Sequence, residues 1–237
     1  MLRAEFVGRV VAKIIAHIAI VAALGVGACA EVPQDPASLK SLPQPVTQVA
    51  YVVASPIADG MSAPPPAGFV GFCMRSPEAC TNRSAPAATQ VVVDDRTAAT
   101  LIAVNAQVND SITYESDISH YGSANRWTLH PEGGYGDCKD YALAKREALR
   151  AAGLPDQALR IAIVRTPRDE LHAVLTVDTN KGVLVLDSLT PKIRPWSDTS
   201  YSWIERQSAQ DPLRWVSLAA NRDDDTGAIL AGRRETN

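Results

Sequence analysis

The stretch Gly136-Asp137-Cys138-Lys139-Asp140-Tyr141 decides how this 237-residue chain is read. Glycine and aspartate mark the end of a loop, and Asp137 is a natural helix N-cap. The segment from 137 to 152 then reads as an amphipathic helix. Gly153 stops it and Pro155 forbids its continuation. Ala142, Leu149 and neighbouring alanines make its packing face, with Lys145, Arg146 and Arg150 on the more polar side. Cys138 therefore stands at a helix N-terminus, facing unpaired backbone N–H groups and the positive end of the helix dipole. Both favour thiolate, the nucleophilic form of a cysteine.

Downstream the pattern changes. Residues 159–166, 171–178 and 183–187 are rich in Val, Ile and Leu and read as strands. Asn180-Lys181-Gly182 marks a tight turn between the last two. Residues 203–207 and 213–217 suggest further short strands. Upstream, Asp94 or Asp95 can cap a helix running to about Asn109, with Leu101, Val104 and Val108 on one face. The intervening 111–136, polar and rich in Tyr, Gly and Ser, reads as a long ordered loop over the helix start. Helices first and antiparallel strands afterwards make an α+β domain.

His172 lies early in one strand and Asp187 ends the next. If Asn180-Lys181-Gly182 forms the whole turn, facing residues sum to about 362. Asp187 then pairs near position 175, three residues from His172, close enough for contact but of uncertain parity. Cys138, His172 and Asp187 together have the composition of a nucleophile–base–orienting-acid set, which would make the protein a cysteine peptidase or amidase. Each residue also has a plainer use. Histidine in a strand is commonly structural, and aspartate at a strand end is a common turn former. His120 and His130 compete as bases but precede the cysteine. Trp127 suits either a cleft wall or the core.

The formal charge of −3 gives no electrostatic case for nucleic-acid binding, which calls for a basic patch. Arg3, Arg9 and Lys13 precede an apolar run, 14–26, broken by His17 and followed by Gly27-Ala28-Cys29-Ala30. Residues 1–30 thus read as a secretory signal, with an uncleaved anchor as the alternative. Val26-Gly27-Ala28-Cys29 also resembles a lipobox, which would attach the protein to a membrane through a lipidated Cys29. Either cleavage sends the chain to the periplasm or cell envelope. Residues 31–66, rich in Pro and Ala, read as a linker, with a strand-like piece at 46–53. The domain is expected over 67–221, and a polar tail over 222–237. In an oxidising compartment Cys73 and Cys80, seven residues apart in a polar loop, suit a local disulfide. That leaves Cys138 unpaired, either an intermolecular bridge or a reactive thiol, with a buried inert thiol as the plainest alternative and polar flanking residues against it.

No zinc-ligand spacing occurs. Asp137 and Asp140 could contribute to a calcium site with loop carbonyls, or could simply complement the helix dipole.

These residues, taken together, resemble the bacterial transglutaminase-like cysteine proteinases. The likeness rests on Gly136-Asp137-Cys138-Lys139-Asp140-Tyr141-Ala142, Leu171-His172-Ala173-Val174-Leu175 and Leu186-Asp187. It extends to Phe72-Cys73, Cys80, Val104-Asn105-Ala106-Gln107-Val108-Asn109 and the 121–127 segment, and so covers residues 67–218. It implies a papain-like, transglutaminase-type core, with Cys138 as nucleophile, His172 as base and Asp187 as orienting acid. It further implies a protein substrate in the cell envelope. Family members of the adhesin-releasing type are periplasmic, calcium-dependent and held by a membrane receptor. Those members carry Asp-Cys-Glu-Asp where this chain has Asp137-Cys138-Lys139-Asp140. Lys139 brings a cation between the two carboxylates, so no cofactor is expected to be required, with calcium at Asp137 and Asp140 left open. An amidase or acyltransferase of the same fold, and an inactive envelope binding module, are the alternative functions.

Overall fold

The computed structural model describes residues 56–82 and 88–218. The signal, the 46–53 piece, Cys29 and the 222–237 tail lie outside them. In chain order the elements are β1 (Asp59–Ala63), α1 (Ala67–Arg75), α2 (Asp95–Ser111), β2 (Thr113–Tyr114), α3 (Asp117–Tyr121) and β3 (Tyr135–Gly136). They continue with α4 (Cys138–Ala151), β4 (Leu159–Arg165), β5 (Leu171–Thr179), β6 (Gly182–Leu186), β7 (Arg194–Pro195), β8 (Ser202–Gln207) and β9 (Trp215–Leu218). The class is α+β, as expected. The stretch 111–136 carries more structure than a loop, since α3 lies within it and β2 pairs in parallel with β3.

Seven strands form one antiparallel sheet in the order β1-β9-β8-β4-β5-β6-β7. The central strands read as predominantly apolar runs because both of their faces are buried. Alternate residues go to different cores. Ile161, Leu175, Val177, Leu184 and Leu186 join the cluster that contains Leu101, Val104 and Val108 of α2 and Ala142 and Leu149 of α4. Ala162, Val164, Val174, Val183 and Val185 join a smaller cluster with Trp203.

The basic residues of α4 do not form a solvent face. Lys145, Arg146 and Arg150 are all buried. Arg146 Nη1 and Arg150 Nη1 donate to the Ala79 carbonyl at 2.8 and 3.1 Å, and Arg150 Nη2 donates to Thr81 O at 2.8 Å. Arg150 also pairs with buried Asp156 at 2.7 Å. These carbonyls flank Cys80, which is bonded to Cys73 as expected, so the guanidinium groups dock the disulfide-closed segment onto the back of the helix. Trp127 belongs to the core rather than to a cleft wall. It is 3% exposed and packs edge-on against Phe69 with ring centroids 5.3 Å apart.

The ordered domain reaches into the segment read as linker. β1, at residues 59–63, pairs with β9, and Asp59 clamps two buried guanidinium groups. Arg160 Nη2 meets both Asp59 oxygens at 2.9 and 2.8 Å, and Arg206 Nε meets Oδ1 at 2.8 Å. Asp178 completes the network from β5. An Asp59→Ala variant should lose about 2 kcal/mol of stability. That is below the 3–5 of a fully buried pair because Asp59 is partly solvated and Asp178 remains. Urea unfolding should show it as a lower midpoint at unchanged slope, and an unchanged midpoint would contradict this role for β1.

Candidate active site

Cys138 is the first residue of α4, and the turn that holds it is locked by its neighbours. Asp137 accepts from Lys139 N–H at 3.3 Å, while Asp140 Oδ2 accepts from Asp137 N–H at 3.1 Å, a reciprocal capping box. Asp140 Oδ1 accepts from Thr128 N–H at 2.9 Å, which fastens the preceding loop to the same turn. Burial pushes the Asp140 carboxyl up to about 7 against these hydrogen bonds and the Lys139 charge. Gly136 is required by this closeness. A Cβ there would stand 2.9 Å from Asp140 Oδ2 and 3.1 Å from its Cβ.

The sheet supplies the partners. The turn between β5 and β6 is shorter than expected: Thr179 pairs with Gly182, so Asn180 and Lys181 alone form the loop and facing residues sum to 361, not 362. Gly182 takes φ 103°, which its missing Cβ permits. The single-residue difference settles the parity. Leu175↔Leu186 is the last paired position, and one step further sets Asp187 opposite Val174, two residues from His172 on the same face. His172 Nε2 and Asp187 Oδ1 are 2.8 Å apart, at side-chain exposures of 6% and 2%. The carboxylate engages Nε2, and Cys138 is near enough to the ring to add to the rise in its value. Cys138 itself is a free, half-buried cysteine.

Burial alone would lower the His172 value. The hydrogen bond to Asp187, then the contact with Cys138, overcome it and raise the imidazole to about 9. Burial likewise works against the Asp187 carboxylate. His172, the Leu189 N–H and Tyr201 outweigh burial and hold Asp187 below the ordinary range.

Several supports of this arrangement have no signal in local sequence. Tyr201 Oη donates to Asp187 Oδ2 at 2.5 Å, and its ring meets His172 edge-on at 5.9 Å. Asn109 Nδ2 of α2 donates to Asp187 O at 3.0 Å, and Asn105 Nδ2 to Pro191 O at 3.1 Å, so α2 steadies the chain leaving β6. Lys145, one helical face along from Cys138, is brought down to about 7 by burial while the Asp187 charge opposes the shift. Of the competing histidines, His120 is engaged by Glu115 at 3.2 Å, and His130 is exposed. Asp117, from α3, joins Asp137 and Asp140 in a carboxylate group whose oxygens lie within 4.8 Å of one another, a spacing that could hold a metal ion. Among the described residues no helix is long and apolar enough to cross a membrane.

Comparison with known proteins matches residues 59–223 to the family model of the bacterial transglutaminase-like cysteine proteinases, BTLCP. The chain belongs to that family. It is a transglutaminase-like cysteine peptidase, and the match begins at the first residue of β1. Solved structures of LapG from Legionella pneumophila are also similar. The calcium-bound form is 28% identical and covers 53% of this chain and 71% of that one at a TM-score of 0.45. The EGTA-treated form gives 28%, 53%, 69% and 0.45. No curated protein matches the peptidase.

Because the folded value of His172 lies above that of a free histidine, the stabilisation from its pairing is complete below pH about 6.5. It is lost as the pH rises through about 9. Ring-proton NMR should therefore follow His172 titrating near 9, and Asp187→Asn should move that midpoint down by about one unit or more. A midpoint near 6.5 in the unaltered protein would contradict the pairing.

Proposed function

We propose that the protein is an exported cysteine endopeptidase that cleaves a protein of the cell envelope, with Cys138 as nucleophile, His172 as general base and acid, and Asp187 as the orienting carboxylate. The observation that carries this reading is the buried His172–Asp187 pair at 2.8 Å with Cys138 as the imidazole's other partner. Export rests on the charged and apolar layout of residues 1–30.

The chemistry follows from the positions. Cys138 Sγ adds to the scissile carbonyl carbon, its proton residing on His172. The growing oxyanion faces the Cys138 N–H, which sits at the first helical position, where the helix offers it no acceptor. His172 gives its proton to the amide nitrogen, the C–N bond breaks, and the amine product leaves a thioester on Sγ. His172 then takes a proton from water, hydroxide adds to the thioester, and the C–S bond breaks to release the acid and restore the thiol. Asp187 holds the ring in the tautomer that aims Nδ1 at sulfur. Tyr201 and Leu189 N–H keep Asp187 ionised and in place. No step requires a cofactor.

The test is hydrolysis of envelope protein extracts and of a peptide library by the purified protein. Cys138→Ala should abolish turnover, and Asp187→Asn should reduce it by about 10²–10⁴-fold with its thiol intact. The rate should fall as pH rises past about 9, where His172 surrenders the proton that the leaving amine needs. Turnover that survives Cys138→Ala would overturn the assignment.

A further inference from the structure

The carboxylates of Asp117, Asp137 and Asp140 have the spacing of a cation site, and a cation from the chain itself already stands among them. Lys139 Nζ meets Asp117 Oδ2 at 2.6 Å and also contacts Asp137 Oδ2, with its side chain 7% exposed. Nearby backbone N–H groups take up further acceptor positions. Asp117 Oδ2 also accepts from Arg126 N–H at 2.5 Å, Asp137 Oδ1 accepts from Lys139 N–H, and the two oxygens of Asp140 accept from Thr128 and Asp137 N–H. Calcium takes six to eight oxygen ligands at roughly 2.3–2.6 Å. Here it would have to share the Asp117 and Asp137 carboxylates with the ammonium that already holds an oxygen of each, and it would meet a like charge beside them. With Lys139 in place the donor set does not fit a divalent ion.

We propose that Lys139 is the resident cation of this cluster, and that its ammonium makes the cross-link for which such a carboxylate group otherwise needs a metal. The link joins α3, through Asp117, to the N-cap of α4, through Asp137, and its source is the residue next to Cys138. The peptidase therefore keeps its active-site turn assembled in the absence of calcium. Replacing Lys139 by glutamate removes the internal cation and adds a fourth carboxylate, which converts the cluster into a site that needs an external one.

Thermal unfolding in EGTA and in millimolar calcium chloride, together with calorimetric titration of calcium, tests this on the intact protein. The unaltered protein should melt at the same temperature in both buffers and give no binding heat. Lys139→Glu should melt lower in EGTA and recover by roughly 5–10 °C when calcium is added. Lys139→Gln should be less stable than the parent in either buffer. Calcium binding by the unaltered protein, or a Lys139→Glu variant that folds and ignores calcium, would overturn the proposal. Should Lys139→Glu not fold, the response of the unaltered protein decides alone. Neither readout involves hydrolysis, so the outcome is independent of the proposed substrate.

Discussion

Asp137 accepts the Lys139 N–H from the first turn of α4 while Asp140, inside that turn, accepts the N–H of Asp137, and Cys138 is placed by that exchange. A helix start exposes four N–H groups without intrahelical acceptors, and its geometry is only as firm as the groups that satisfy them. Here the capping carboxylates do more than close the turn. Asp140 grips Thr128, and Asp137 shares the Lys139 ammonium with Asp117. The loop before the cysteine, α3 and the helix are thereby bound at one point. Gly136 lets the backbone pass close enough to Asp140 for this to happen. At the far end, Arg146 and Arg150 tie the same helix to the carbonyls beside the Cys73–Cys80 bridge.

The sheet presents the other half of the site as a similarly constrained body. A two-residue turn fixes the register of β5 against β6 and so decides that His172 and Asp187 share a face. A slip of one residue would carry Asp187 away from the imidazole altogether. Asn109 holds the backbone of Asp187, and Tyr201 its outer oxygen. Helix and sheet meet where Cys138 neighbours His172, and the hydrogen bond to Asp187, followed by the contact with Cys138, keeps that imidazole protonated in spite of its burial. Position and protonation state thus have one origin.

The features legible in the chain were those that local chemistry dictates. Asp94 caps α2 through Thr97 N–H at 2.7 Å, α4 starts after Asp137, and Val- and Leu-rich runs become β4, β5 and β6. The register was open by one residue because Gly182 can serve equally as a turn residue or as the first residue of a strand. The arginines of α4 differ from the helical pattern for another reason. The burial of Arg146 and Arg150 depends on carbonyls near residue 80, some seventy positions upstream, which no helical periodicity encodes. Tyr201 and Asp117 are equally invisible, and Asn109 stands out only within the family likeness, without a role, since each acts through a contact that only the folded topology creates. β1 escaped notice because five residues of Asp-Gly-Met-Ser-Ala lack a strand's composition, and Asp59 holds them through two arginines.

The central claim is that His172, set by Asp187, governs the reactivity of Cys138. The most direct measurement is the rate at which an electrophilic thiol probe labels the purified protein at neutral pH, compared with His172→Ala. Labelling should be confined to Cys138 and should slow by at least about tenfold when the imidazole is removed. Equal rates in the two proteins would show that the cysteine does not depend on the histidine, and would contradict the account.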